Sequence, residues 1–592
     1  MLRSPAITAR SNTRLWCFFI LAGFAVIALQ AFNLHIVHHR LLKAKSDGTI
    51  LRKWVVQAQR GAIRDRTGEP LAYSVQAGSV FADPKLVTDP RAAAAALAPV
   101  LEMPAGELEP LLRKRYRVVR TGNSAQVKRV RFVWLKRRVD EVALERVRKL
   151  ALPGIGIQPE PKRVWPYGSL AAHTLGFVND ENRGAVGLER SLDRVLAGTD
   201  GKIVAEVDAG NRLIPGRKLY EEPALPGRDL ILTIDRTMQQ AAEAALADAL
   251  HRWQALGGCV IVADPTSGEI LALATLPSFD PACPSRYPPQ SWRHPAVSCV
   301  YEPGSTFKLV TAYSALEENA VRPGEIVVHC AGSTVIGNHT IRCAVHGRGG
   351  HGSLDLEGVI VHSCNIGIGK VAERIPSWKI ARYMSLLGFG SRTGIELPGE
   401  ARGWFPDPSR WSKVQKANIA FGQSVAITPL QLLAAYCAVG NCGTLPHLHL
   451  VRRIAASADD PGKEVRLPGR PVMSPATAEK LRTMFTHVVE RGTGKAAAIA
   501  GYRIAGKTGT AQKPTPELGY NSGKYIGSFV GFLPADNPKV AVLVVIDEPK
   551  GSHYGAVVAA PAFRVVASRA ASHLGIAPIA QVKPGVNRPR GT

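Results

Sequence analysis

The sequence predicts an α+β protein, an antiparallel sheet flanked by helices, held behind one N-terminal transmembrane helix. Three observations predict it. Residues 15–39 carry no Asp, Glu, Lys or Arg. Two apolar segments, 258–263 and 269–274, are joined by Asp264-Pro-Thr-Ser-Gly268, which is hairpin-turn chemistry. A segment of helical period, 236–253, precedes them, and the apolar strands 525–532 and 540–546 are followed by helical 560–571.

The span comes first. Its core, Trp16-Cys-Phe-Phe-Ile-Leu-Ala-Gly-Phe-Ala-Val-Ile-Ala-Leu29, is wholly apolar. A bilayer needs about 20 such residues as a helix. A cleaved signal peptide would have a shorter apolar stretch and a small-x-small cleavage site. Here Phe32-Asn-Leu-His-Ile-Val37 follows, so an uncleaved anchor is expected. Arg3, Arg10 and Arg14 precede the span, while Arg40, Lys43 and Lys45 follow it, so flanking charge does not set orientation. A short cytoplasmic tail, 1–14, with everything after the anchor on the outer side, is the simplest topology.

The 592 residues allow three or four units, at roughly 100–200 residues each. A content of 46% hydrophobic and 20% charged residues excludes a mostly disordered chain, and nine cysteines are too few for a disulfide scaffold. The net charge of +27 points to an anionic partner. Behind a membrane anchor, nucleic acid is excluded in favour of anionic lipid or wall polymer. The basic stretch Arg113 to Arg138 reads first as a solvated charged face, and alternation within residues 126–135 predicts a strand there.

We place a first extramembrane region at 40–220, opening with Arg60-Gly-Ala-Ile-Arg-Asp65-Arg66-Thr-Gly68. A second region runs over 221–575, and the Pro-, Gly- and Arg-rich tail 576–592 is expected to be disordered.

Chemistry concentrates in three short elements. In Glu302-Pro-Gly-Ser305-Thr-Phe-Lys308, Ser305 opens a helix expected to continue through 309–319. Lys308, three residues on, shares its face. A partly desolvated lysine loses proton affinity and can serve as base to a hydroxyl. Ser363-Cys364-Asn365 begins a second helix, 366–375. Lys507-Thr508-Gly509-Thr510, after a strand expected at 502–505, places a cation and two hydroxyls at a strand edge, which suits a peptide carboxylate. Each element alone is weak. Three in this order are specific. Gly501 to Thr508 also fits the phosphate-loop pattern, but Gly509, Pro514 and Pro516 deny it the helix that motif requires.

Together these elements resemble those of the penicillin-binding serine acyltransferases. The match is closer to the class B penicillin-binding proteins, the membrane-anchored peptidoglycan D,D-transpeptidases. Residues 60–68 resemble their N-terminal signature and 296–308 their nucleophile helix. Lys507-Thr-Gly-Thr-Ala-Gln-Lys513, Ser528-Phe-Val-Gly-Phe-Leu-Pro-Ala535 and Val545-Ile-Asp-Glu-Pro549 resemble the division and sporulation branch. Asn441-Cys442-Gly443 departs from the usual Asn-Gly-Gly.

The resemblance implies a transpeptidase fold on an elongated pedestal. It also implies that Ser305 attacks the D-Ala–D-Ala carbonyl, Lys308 takes its proton, Ser363 relays it, and Lys507 holds the network's charge. Asn365 would orient the lysine and a substrate amide. Thr508, Gly509 and Thr510 would bind substrate, with the N–H groups of Ser305 and Thr510 as oxyanion hole. The implied ligands are peptidoglycan stem peptides on lipid-linked precursor strands, and β-lactams, which acylate Ser305. The chain leaves no room for a glycosyltransferase domain. A polytopic membrane glycosyltransferase of the shape, elongation, division and sporulation class is the expected partner. Two rivals are a D,D-carboxypeptidase or β-lactamase-type hydrolase, and a non-catalytic β-lactam-binding scaffold.

No cofactor is required for this chemistry. Cys330, Cys343, His351 and Cys364, however, offer thiolates and an imidazole at C-x12-C-x7-H-x12-C spacing, a donor set that suits tetrahedral zinc. Some relatives resemble this arrangement in carrying a metal beside the Ser-x-Asn element. The alternatives are a Cys330–Cys343 disulfide, with Cys283–Cys299 as a second, or unmodified thiols.

Overall fold

The computed structural model describes residues 6–40, 42–43, 51–121, 124–207, 213–336, 339–343, 347, 349–456, 460–515 and 519–579. The expected disorder of 576–592 falls mostly on 580–592, outside the described residues. The chain forms two compact units, 1–59 with 198–226 and 60–197 with 227–592.

The first unit contains the apolar helix, Ala6–Phe32, which passes into a π-helical turn at Asn33–Val37. Its apolar part, Leu15–Val37, is 23 residues long. At about 1.5 Å per residue that spans the roughly 30 Å hydrocarbon core. The π turn begins at Asn33, among the polar residues that interrupt the span. The unit also contains an antiparallel three-stranded sheet of Leu51–Val56, Gly201–Val207 and Leu213–Glu222.

In the second unit a seven-stranded mixed sheet joins distant parts of the chain. Ile63–Arg64 pairs in parallel with Asp229–Leu232, and Pro70–Ala82 pairs with both Val133–Val139 and Ile155–Val164. The signature at 60–68 is held by buried charge. The Arg60 guanidinium bonds Glu189 Oε2 at 2.7 Å and Asp193 Oδ1 at 2.7 Å, while Arg163 bonds Glu189 Oε1 at 2.7 Å. The strand expected over 126–135 is instead two, Ser124–Arg129 and Val133–Val139. The first pairs with Tyr116–Thr121, a pairing that the bond from the buried Val130 N–H to Arg115 O extends, and the second pairs with Pro70–Ala82, so the chain changes sheets between them.

The sheet that carries the site has five antiparallel strands: β1 (Gly257–Ala263), β2 (Ile270–Leu276), β3 (Ala505–Gln512), β4 (Tyr525–Leu533) and β5 (Val540–Asp547), in the order β2-β1-β5-β4-β3. Helices α1 (Arg236–Trp253), α4 (Pro429–Gly440) and α5 (Ala560–His573) pack on it, while α2 (Lys308–Glu317) and α3 (Asn365–Glu373) pack on each other. Both faces are covered, so the central strands read as continuous apolar runs. Val260, Val262, Val542 and Val544 join one core with α1 and α5. Cys259, Ile261, Leu543 and Val545 join the other with α2 and α4. Asp235 caps α1 by accepting the Met238 N–H, which sets the helix start where the sequence placed it. The strand expected at 502–505 begins only at Ala505, so Lys507 to Thr510 lie inside β3 and not after it. Lys507 and Thr508 continue as strand where a phosphate loop needs a helix to begin, which removes that reading.

Candidate active site

The turn before α2 is built around Gly304. Its φ is +56°, and a Cβ there would lie 2.5 Å from Thr510 O, so only glycine lets this turn approach β3. Gly304–Phe307 form a 3-10 turn, with Thr306 Oγ1 donating to Pro303 O at 2.9 Å. Tyr436 Oη, on α4, donates to Thr306 O at 2.9 Å. Ser305 therefore sits in a 3-10 turn one step before the α-helix, which starts at Lys308 and ends at Glu317 rather than 319. The offset of three still puts the lysine on the serine's side. Lys308 Nζ lies 2.8 Å from Ser305 Oγ.

Lys308 is fully buried. Its Nζ also lies 2.9 Å from Ser363 O, 3.1 Å from Ser363 Oγ and 2.8 Å from Asn365 Oδ1. Cys364 caps α3 by accepting the Gly367 N–H at its sulfur, so the helix begins at Asn365. Ser363, just before it, has φ +56°, a conformation unfavourable for a residue with a side chain. That backbone aims its hydroxyl between two amines, because Lys507 Nζ lies 3.0 Å from Ser363 Oγ. Asn365 Nδ2 donates to Arg342 O at 3.2 Å, which fixes the amide with its oxygen toward Lys308.

Lys507 is buried as completely as Lys308. Burial lowers Lys308 to about 8. Burial, and then repulsion from Lys308, push Lys507 well below the usual lysine range. Two ammonium groups sharing one hydroxyl in a low-dielectric site repel, so at least one amine is held neutral. Ser363 Oγ joins the two amines.

β3 is the edge strand of the sheet, so among the described residues one side of its backbone has no strand partner. Gly509 is required there, since a Cβ would meet Ser528 Oγ at 2.3 Å and Thr306 Cγ2 at 2.9 Å. Thr508 Oγ1 lies 3.0 Å from Thr493 Oγ1, and Thr510 Oγ1 accepts the Gly555 N–H at 3.1 Å. The structure thus brings Ser305, Lys308, Ser363, Asn365, Lys507 and Thr508 into one hydrogen-bonded cluster, with Gly509 and Thr510 along its edge. Sequence reasoning gave no part to Thr493, whose contact with Thr508 is long-range. It also gave none to Glu302, although that carboxyl stands three residues before Ser305.

The thiol cluster adjoins this site through Cys364. Cys330 Sγ and Cys343 Sγ lie 3.5 Å and 3.6 Å from His351 Nδ1, and Cys343 Sγ lies 3.5 Å from Cys364 Sγ. All four donor atoms fall within 4.8 Å of one another. Zinc bonds of about 2.3 Å to sulfur and about 2.0 Å to nitrogen give tetrahedral edges near these separations, so the set fits that ion. The Asn365 N–H points at Cys343 Sγ, 3.2 Å away, and steadies charge on it. Among the described residues no disulfide is formed, either between Cys330 and Cys343 or between Cys283 and Cys299.

A serine beside a buried lysine, a second serine between two amines, and a cationic edge strand define a penicillin-binding transpeptidase site. Residues 258–568 match the penicillin-binding protein transpeptidase domain and 55–232 the penicillin-binding protein dimerisation domain. The chain belongs to this family, in its class B branch. It is similar to stage V sporulation protein D of Bacillus subtilis, with 32% identity over 98% of this chain and 88% of that protein. It is equally similar to peptidoglycan D,D-transpeptidase FtsI of Escherichia coli K12, with 32% identity over 93% of this chain and 90% of that one. Among solved structures, a peptidoglycan synthetase from Bifidobacterium adolescentis superposes with a TM-score of 0.68 at 25% identity, covering 89% of this chain and 97% of that one. Penicillin-binding protein 3 of Mycobacterium tuberculosis, complexed with aztreonam, gives 0.66 at 26% identity, covering 89% and 98%.

Proposed function

We propose that the protein is a serine D,D-transpeptidase that cross-links peptidoglycan stem peptides in division or sporulation. The observation that carries this is the position of Lys308 Nζ, 2.8 Å from Ser305 Oγ and shielded from water. Neutral Lys308 takes the hydroxyl proton as Ser305 Oγ attacks the carbonyl of the D-Ala–D-Ala bond. The N–H groups of Ser305 and Thr510 hold the resulting oxyanion, each donor lowering the barrier by about 3 kcal/mol. The proton passes from Lys308 through Ser363 Oγ to the departing D-Ala nitrogen, the C–N bond breaks, and a seryl ester remains. Lys507 keeps the relay electrostatically poised. Asn365 holds the Lys308 amine in line, and Thr508, Gly509 and Thr510 hold the substrate carboxylate and backbone along β3. The amine of a second stem peptide then attacks the ester, returns the proton to Ser305 and closes the cross-link. A β-lactam opens on Ser305 by the same first step and stays as an ester.

The 15–39 segment anchors the chain, with 1–14 in the cytoplasm and the rest on the wall side, where lipid-linked precursor strands lie. Residues 40–220 serve as pedestal and 221–575 as the transpeptidase. A polytopic membrane glycosyltransferase of the shape, elongation, division and sporulation class supplies the glycan strands. Incubation with a stem-peptide donor and a labelled amine tests the acceptor. Labelled cross-linked product supports transpeptidation, and release of free acid with no amine incorporated supports the hydrolase reading.

Cys330, Cys343, His351 and Cys364 hold a structural zinc, which when bound fixes the loop that presents Ser363 and Asn365. Elemental analysis of purified protein should find about one zinc per chain, lost in Cys330→Ser. Zinc-free wild-type protein with all four ligands reactive would refute it.

A further inference from the structure

Glu302 joins three segments that are far apart in sequence. Its Oε1 accepts the Ser424 N–H at 2.9 Å and the Tyr520 hydroxyl at 2.6 Å. Tyr520 stands in the turn Tyr520–Ser522, between β3 and β4. Ser424 lies in the turn that follows Gly422, with φ +59°. That turn is already locked to the nucleophile, since the Gly304 N–H donates to Gly422 O at 3.0 Å. At its base, the segment between β3 and β4 is held by Lys513, whose Nζ bonds Asp547 at 2.9 Å and Glu548 at 2.8 Å. Near its tip, Tyr520 ties it to Glu302.

This carboxylate is a poor device for stability. Its Oε2 is buried and has no hydrogen-bond partner among the described residues. Burial raises its proton affinity. A buried acceptor left unpaired costs stability, and such costs are tolerated where a residue serves the site. Only Pro303 and Gly304 separate it from Ser305.

We propose that Glu302 is a positioning residue: it clamps Tyr520 and the Ser424 turn against the Ser305 turn, and so fixes the wall of the cleft that receives the donor peptide or a β-lactam. This rests on Ser305 being the acylated residue. The clamp sets how well the ligand is held before reaction and leaves the Lys308 relay untouched. It works through Oε1 as an acceptor, so a glutamine amide oxygen can replace it.

The test uses the full-length protein in detergent, with benzylpenicillin acylation separated into reversible binding and limiting acylation rate. Glu302→Ala should weaken binding about tenfold, the worth of a hydrogen bond to a charged group. Its limiting rate should be unchanged and its Tm equal to or above that of wild type. Glu302→Gln should stay within about threefold of wild type, the acceptor being kept. Tyr520→Phe should weaken binding, and adding it to Glu302→Ala should cost nothing more, because both remove one clamp. Wild-type binding in Glu302→Ala, or a limiting rate and Tm that fall together, would overturn the proposal. Ser305→Ala is the control: acylation that persists there sinks the nucleophile assignment, whereas its loss there with normal Glu302→Ala kinetics sinks the clamp alone.

Discussion

Replacing Lys308 by methionine separates what the buried amine costs the fold from what it does for the reaction. The lysine is held at about 8 rather than near 10.5 because burial disfavours its charge. The sign follows from linkage. The unfolded chain binds the proton more tightly, so the fold is penalised at every pH below 8, and the penalty fades as pH rises from 8 toward 10.5. Its size is about 3 kcal/mol. Methionine has a similar length and no proton to lose. Lys308→Met should therefore raise stability at pH 7 by up to about 3 kcal/mol, a shift of a few degrees in Tm. Acylation by a fluorescent penicillin should fall by about a thousandfold, the usual worth of a positioned base. The same value fixes the wild-type pH profile. About half of the amine is neutral at pH 8, about one-tenth at pH 7 and about one-hundredth at pH 6, so acylation should climb tenfold per pH unit and level off above 8. A methionine variant that acylates normally would refute the reasoning. So would a Tm that drops with activity, or a profile flat from pH 6 to 9.

Two predictions concern the scaffold. Glu189 is fully buried and accepts from both Arg60 and Arg163; Glu189→Ala takes the shared carboxylate from two buried guanidinium groups, of which Arg60 keeps Asp193, and should destabilise the fold by about 3–5 kcal/mol, read by denaturant titration. Cys442 is exposed and has φ +50°; Cys442→Gly should stabilise by about 0.5–1 kcal/mol with penicillin acylation unchanged, because glycine adopts that conformation without strain.

Elements with a strong local signal were legible. The helix Arg236–Trp253 carries its own Asp235 cap, and β1 and β2 are bounded by turn residues. The three motifs that meet at the site were legible because their residue types and order are unusual together. What local sequence misread is set by distant partners. The run 126–135 looked like one strand, but its two halves pair with different strands, Tyr116–Thr121 and Pro70–Ala82. Lys507 looked as if it followed a strand, and only pairing with β4 shows that it lies within one: Lys507 sits opposite Val530. The α-helix starts at Lys308 because the turn before it must bend around Thr510. Glu302 could be seen beside the nucleophile, while its partners, Ser424 and Tyr520, are over a hundred residues away. The left-handed backbone at Ser363 had no signal at all, because such a conformation is imposed by its surroundings.

The central claim is that one hydroxyl, Ser305 Oγ, is made reactive by the amine beside it. Peptide mapping by mass spectrometry after benzylpenicillin treatment tests this directly. The account predicts a single penicilloyl adduct on the peptide that contains Ser305, absent from Ser305→Ala and strongly reduced in Lys308→Met. An adduct on another residue, or one that survives in Ser305→Ala, would contradict it.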